Sequence, residues 1–400
     1  MTTTFPCLRS EIQVTVHHEN GEPLLVLSDP FGIADGPIVL NADMVDVLEA
    51  CDGEQRFSDF AHDAEIDPDG PQMIQLRAFL GQLDEMGYFD GHHFERRAAE
   101  ESARWESLTA RPPVCAGSVY PEDPQELVEF LTREMNILPE DGNVSPLPAE
   151  STTNVLLVPH IDFRVAPQVY SPAFAKTHNH PADLVIMVGT SHYWSEHPFI
   201  LTDKNFETPL GTVETERGLV DALRRALPGV APTDIAHRPE HSLELHLVGL
   251  QHVRRGRPFT IVPLLVTMKA LDEEVLAKAT HTLRTTIEQS GRRALWFISG
   301  DLAHVGLKFG DEQPASEMLE AVRLADKDLL EALSGASADQ YHRRITALPQ
   351  DFRVCGHAPT VVALGATMPA TGTILAYDVW EEAETGSAVT FATVAFGKNP

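Results

Sequence analysis

After Asn154 the chain alternates between short unbroken apolar runs and longer stretches in which apolar positions recur every three or four residues. The unbroken runs fall at 154–158, 184–188, 259–266, 294–298, 374–378 and 389–396. Their aliphatic and β-branched content predicts strands buried on both faces. The helical periods fall near 215–226, 241–253, 272–288, 315–334, 337–346 and 358–365. Strands and helices in alternation predict an α/β fold, a mainly parallel sheet flanked by helices. The last two runs are joined through Glu381 to Gly386, which predicts an antiparallel hairpin at that end.

The first 105 residues follow another pattern and predict a separate small α+β domain with its linker, ahead of a second domain at 110–400. Glu11 to Val16 and Pro23 to Leu27 read as strands around a turn at Asn20-Gly21. A helix is expected over 41–51 with Asn41 as its cap, a second from Phe57, and a third over 75–86. In the third, Leu76, Phe79, Leu80, Leu83 and Met86 form one stripe. Phe94 to Thr109 reads as a charged helical linker. The next helix has Pro124 near its first turn, and 137–153 reads as a surface loop.

Composition narrows the function classes. The formal charge is −29, from 59 acidic and 30 basic residues, which disfavours a nucleic-acid backbone or an anionic membrane as partner. The one dense basic run, Arg254-Arg255-Gly256-Arg257, reads as a solvated loop against that background. No apolar run approaches the roughly 20 residues of a membrane span. The N-terminus lacks the basic and apolar regions of a signal peptide. Cys7, Cys51, Cys115 and Cys355 show no paired spacing, so a reduced, cytoplasmic setting is expected.

Three of the apolar runs end in groups that bind metals or move protons. Leu156-Leu157-Val158-Pro159-His160 is one, and Leu184 to Val188 followed by Gly189-Thr190-Ser191-His192 is the second. The third is Leu295 to Ile298 followed by Ser299-Gly300-Asp301-Leu302-Ala303-His304. Open α/β sheets bind ligands beyond the carboxyl ends of their strands, so all three deliver their residues to one edge. Taken singly, His160 and His192 read equally as ligands or as histidines bonded to backbone. Cys355, followed by Gly356 and a helix near His357, reads either as an inert core thiol or as one drawn toward thiolate by the helix N-terminus. If helical, His241 and Glu244 share a face. Asp301 either orients an imidazole, takes a proton or caps a helix, and His304 is a candidate general acid/base. Two imidazoles with one thiolate or carboxylate leave positions open for water or substrate, the pattern of a catalytic metal. A thiolate favours Fe(II), Cu or Zn over Mg or Ca.

Taken together these motifs resemble the Memo family, the B protein of the AmmeMemoRadiSam gene neighbourhood. The matching stretches are Ala116 to Pro121, Pro159-His160, Gly189 to His192, Thr208 to Gly211, Glu240 to His246, Ile261 to Leu264, Ser299 to Gly306 and Cys355 to Pro359. That family is similar in fold to class III extradiol dioxygenases. The resemblance implies a metal held by His160, His192 and Cys355, with His241, Asp301 and His304 around it as catalytic residues. It also implies a small-molecule or peptide substrate, and a partner encoded in that neighbourhood, such as a radical-SAM protein. Where the family carries aromatic residues after its Pro-His, this chain has Ile161-Asp162-Phe163-Arg164-Val165. The ligands persist and the pocket walls differ, which implies a changed substrate. The N-terminal region resembles a winged helix, in particular the peptide-chaperone domain of pyrroloquinoline quinone biosynthesis. The expected function is a metal-dependent redox enzyme, an Fe(II) centre activating O₂. The alternatives are a non-catalytic peptide-binding adaptor and a metal-dependent hydrolase.

Overall fold

The computed structural model describes residues 3–19, 22–137, 153–193, 195–348 and 352–397. The turn expected at Asn20-Gly21 and nearly all of the loop expected at 137–153 lie outside the described residues. The chain divides into two compact units, Met1–Leu108 and Thr109–Pro400.

In the first unit β1 (Gln13–Glu19), β2 (Glu22–Ser28) and β3 (Ile38–Asn41) form an antiparallel sheet in the order β1-β2-β3. Strand β3 is absent from the sequence reading because four residues are too few to show a period. Asn41 ends that strand and makes no side-chain cap. A 3₁₀ turn at Ala42–Met44 leads instead into α1 (Val45–Glu49). Helices α2 (Phe57–Asp63), α3 (Pro71–Glu85) and α4 (His92–Ser107) follow. Proline at the first position of α3 starts that helix four residues before the predicted point. Phe5, Leu27, Ala61, Met73, Leu80, Leu83, Tyr88 and Phe89 make the core of this unit.

The second unit opens with β4 (Ala110–Arg111) and α5 (Pro124–Glu129), whose first turn is capped by the Asp123 carboxylate. Then come β5 (Thr153–Val158), α6 (Pro167–Thr177), β6 (Leu184–Thr190), β7 (Phe199–Leu201), β8 (Asn205–Thr208) and β9 (Gly211–Thr215). Next are α7 (Arg217–Ala226), α8 (Glu244–Val253), β10 (Thr260–Val266), α9 (Glu273–Gln289), β11 (Ala294–Ser299) and β12 (His304–Gly306). The chain closes with α10 (Ala315–Ser334), α11 (Ala338–Thr346), α12 (His357–Thr367), β13 (Thr371–Glu382) and β14 (Ser387–Gly397).

These strands form one sheet in the order β12-β14-β5-β11-β6-β10-β9-β8-β4, with β13 added on β14 and β7 on β10. Its centre, β5-β11-β6-β10, is parallel, while β14 runs antiparallel to β5, β13 and β12. Alternate residues of the central strands enter opposite cores. Leu156, Val158, Val185, Met187 and Phe297 pack with α6 and α8. Val155, Leu157, Ile186, Val188 and Ile298 pack with α7, α9 and α12 on the other face. Burial on both sides is why these strands are written as unbroken apolar runs.

Register aligns the strand ends. Val158 pairs Ser299, Ser299 pairs Gly189, and Gly189 pairs Leu265. His160, Asp301 and His192 therefore leave the sheet within three residues of one shared row. None of the described helices is long and apolar enough to cross a membrane.

Candidate metal centre

Four loops meet above that row. His160 follows β5, His192 follows β6, Glu240 and His241 precede α8, and Asp301 to His304 follow β11. Cys355 arrives from a fifth segment ahead of α12, and two glycines make its approach possible. A Cβ on Gly300 would stand 2.3 Å from the Gly356 Cα, and one on Gly356 would stand 2.8 Å from the Asp301 oxygen. With hydrogens there, the Gly356 amide donates to the Asp301 carbonyl at 2.9 Å, and the Asp301 amide reaches the Cys355 Sγ at 3.2 Å. Arg353 adopts a left-handed backbone, φ 49°, two residues earlier. Its guanidinium fork holds both oxygens of Asp311 at 3.1 and 3.0 Å, which secures that strained turn.

The structure brings the ligand atoms of His160, His192 and Cys355 within 4.8 Å of one another, and likewise those of Asp301, His304 and Cys355. The Cys355 Sγ lies 3.3 Å from the His160 Nε2. His241 stacks on His192 with ring centroids 4.7 Å apart and meets His160 edge-on at 5.2 Å. His241 is outside α8, which begins at Glu244. The two do not share a helical face: His241 looks into the cluster and Glu244 turns away from it.

Hydrogen bonding fixes which nitrogen each imidazole offers. The Ser299 hydroxyl donates its one proton to the Ser242 carbonyl, so it accepts from the His160 Nδ1 at 3.0 Å and the His246 Nε2 at 2.8 Å. His192 Nδ1 lies 2.9 Å from the Glu240 carboxylate, and His304 Nδ1 faces the carbonyls of Leu302 and Arg353 at 3.2 and 3.1 Å. All three partners are acceptors, so His160, His192 and His304 each carry Nδ1–H, which leaves Nε2 as the nitrogen that a metal would take, in His192 by displacing a proton. Metal-binding histidines are held in this way.

Burial and mutual proximity set the protonation of the cluster in opposing directions. Burial holds His160 well below its ordinary pKa, with the neighbouring imidazoles adding to the effect. Burial opposes charge on His192, yet Glu240 and Cys355 raise it well above the ordinary value. Burial likewise opposes the Glu240 carboxylate, which His192 nonetheless holds well below the usual range. Burial depresses His241 and His304 to about 4 and lifts Asp301 to about 7. The Cys355 thiol is pushed up by burial, against the pull of His192. A bound cation would bias it toward thiolate.

Three contributors receive no role from the sequence. Glu240 sets His192 through both its ring and its backbone amide, the latter at 2.8 Å. Ser299 is the last residue of β11, one past the apolar run. Arg111, fully buried, donates to the His237 carbonyl at 2.6 Å, to the Glu240 carbonyl and to the Glu244 carboxylate, and so frames the loop carrying Glu240 and His241. Glu244 also accepts from Val114 N, Cys115 N and the Tyr120 hydroxyl. Beside His192 and Cys355 opens a cavity of about 610 Å³ walled by Tyr193, Met268, Ile345 and Arg353.

Comparison with known proteins matches this unit to one family. The sequence profile described as Memo-like protein covers residues 111–395. A MEMO1 family protein of Aquifex aeolicus is 28% identical over 379 residues, spanning 93% of this chain and 95% of that one. That stretch is longer than the second unit, so the likeness extends into the first. A MEMO1 family protein of Archaeoglobus fulgidus is 29% identical over 64% of this chain and 85% of its own. One from Thermus thermophilus is 28% identical over 80% and 92%. A crystal structure of an uncharacterized Escherichia coli K12 protein covers 61% of this chain and all of its own, at 15% identity and a TM-score of 0.37. By the extent of the profile match, the chain belongs to the Memo-like protein family.

Proposed function

We propose that this protein is a metal-dependent enzyme whose metal is held by His160, His192 and Cys355, and that the metal is redox-active, Fe(II) first among the candidates. One observation carries the reading: two imidazoles tied through Nδ1 bring a ligand atom each within 4.8 Å of one another and of a thiol. Three protein ligands leave positions for water, O₂ or substrate, and a mixed imidazole–thiolate set suits Fe(II), Cu or Zn. When bound, the metal would supply O₂ activation of the kind used by class III extradiol dioxygenases. The thiolate in place of their carboxylate argues for a different oxidation from ring cleavage. Around it, Asp301 and His304 lie 3.9 Å apart and would hold and pass a proton. His241 lines the open side of the cluster. The cavity bounded by Tyr193 and Met268 would hold a small molecule or the end of a peptide.

A peptide substrate gains support from the first unit, which we read as winged-helix-like. Its edge strand β1 exposes Val14 and Val16 at 43% and 60%, a surface suited to strand addition. Peptides selected on the wild-type chain should then lose affinity for Val16→Lys while metal content stays unchanged.

Oxygen consumption by the Fe(II)-loaded chain with a reductant tests the redox reading. Uptake above that of free iron, absent in His192→Ala, is expected. Metal retained without uptake would favour hydrolysis through a bound water. A folded chain that binds no metal would favour a non-catalytic adaptor.

A further inference from the structure

The basic run at Arg254 to Arg257 has no part in the metal cluster. It follows the C-terminus of α8, at the sheet edge where β6, β10 and β11 begin, opposite the edge that carries His160 and His192. There it borders a cavity of about 1310 Å³, whose walls include Leu210, Val213 and Phe259.

A helix C-terminus attracts a cation, which accounts for one arginine. It does not account for three around one cavity. Arg254 is 4% exposed, and its guanidinium hydrogen-bonds the carbonyls of His180 and Ala182, leaving Nε without a hydrogen-bond partner among the described residues. Arg257 bonds the His178 carbonyl and the Asn179 side chain at 3.1 and 3.0 Å, and Arg255 lies 3.2 Å from the His252 Nδ1. None of the three makes an ion pair within 4 Å among the described residues, and Arg254 feels the Asp183 carboxylate only from farther away. The acids nearby are largely engaged. Asp183 and Glu216 pair with Arg292 at 3.2 and 2.8 Å, and Glu129 lies 3.6 Å from Arg133. Glu214 is the one lining acid without an ion pair among the described residues. A buried guanidinium without a counter-ion is costly, and two adjacent arginines add to that cost.

We propose that this cleft binds a small organic phosphate. Its dianionic group would neutralise the Arg254, Arg255 and Arg257 cluster, and its apolar or flat body would lie along Phe259, Leu210 and Val213. Guanidinium groups suit phosphate oxygens, and three positive charges against one free acid, Arg254 contributing its charge from behind the wall, suit a doubly charged group better than a single carboxylate. The Arg254 guanidinium lies 5.4 Å from the Phe259 ring centre, so the charged and flat parts of the cleft adjoin.

The test is calorimetric titration of the full chain with AMP and with inorganic pyrophosphate. Saturable binding is expected for at least one, weakened about tenfold or more in Arg255→Ala/Arg257→Ala and weakened by added salt. His192→Ala should bind as wild type does, which separates this cleft from the metal cluster. Three results would each overturn the proposal: no saturable binding of either probe at millimolar concentration, unchanged binding in the double variant, or loss in His192→Ala instead.

Discussion

His192 and Glu240 form a two-point clamp. The carboxylate accepts the ring Nδ1–H at 2.9 Å through one oxygen and the His192 backbone amide at 2.8 Å through the other. The side chain of Glu240 is almost wholly buried, so the clamp competes little with water. Its consequence is that the Nε2 of His192 has one direction to point, toward Cys355 and His160.

Glu240→Gln is therefore expected to weaken metal binding by roughly 10–100-fold, as loss of such an orienting partner does elsewhere. Chelator competition with Co(II) reads the affinity directly. The amide keeps the shape of the carboxylate, so the melting temperature should move far less than the affinity.

Arg111 holds that clamp from below. Arg111→Met would strand the buried Glu244 carboxylate and free the carbonyls of His237 and Glu240, at a cost of about 3–5 kcal/mol. Arg111→Lys should recover little of this, because one ammonium cannot span three acceptors in fixed directions. Denaturant titration of both variants checks the pair.

Gly300→Ala would push a methyl group into the Gly356 backbone. The expected loss is about 1–3 kcal/mol of stability, together with displacement of Cys355. Weakening of the thiolate-to-Co(II) charge-transfer band in folded protein would report the displacement. An unchanged band would mean that the Gly300–Gly356 approach does not position the thiol.

Asp326, buried and bonded to the Tyr377 hydroxyl at 2.8 Å, gives a pH signature from outside the metal cluster. Burial raises its pKa from 3.8 to about 6, so the folded state favours the protonated form. Its contribution is fully present below about pH 4 and is lost as pH rises through about 6. Relative to Asp326→Asn, wild type should lose about 2 kcal/mol between pH 4 and pH 7. Denaturation curves at the two pH values measure the difference, and an equal offset at both would contradict it.

The parallel centre of the fold was legible because strands covered on both faces must be apolar throughout, as 184–188 and 294–298 are. Helices α9 and α10 were legible for the related reason that one face of each is buried. Short elements were not. Strands β7, β8 and β9 have too few residues to show a period, and α6 carries Pro172 in its interior. The histidines and Cys355 stood out because polar residues directly after buried strands, or beside a glycine, are conspicuous. Their orienting partners did not. Glu240 lies 48 residues from His192, and Ser299 lies 139 from His160. The register of β11 on β5 brings Ser299 to His160, and the turn before α8 brings Glu240 to His192. The pairing of His241 with Glu244 failed at a boundary, because α8 starts at Glu244 and the turn before it sends the two side chains apart.

The most direct test of the centre is metal analysis of protein purified without oxygen, wild type beside His192→Ala and Cys355→Ala. About one transition-metal ion per chain in the wild type, lost from both folded variants, is the predicted result. A folded wild type without metal, or variants that keep it, would contradict the assignment of His160, His192 and Cys355 as the ligands.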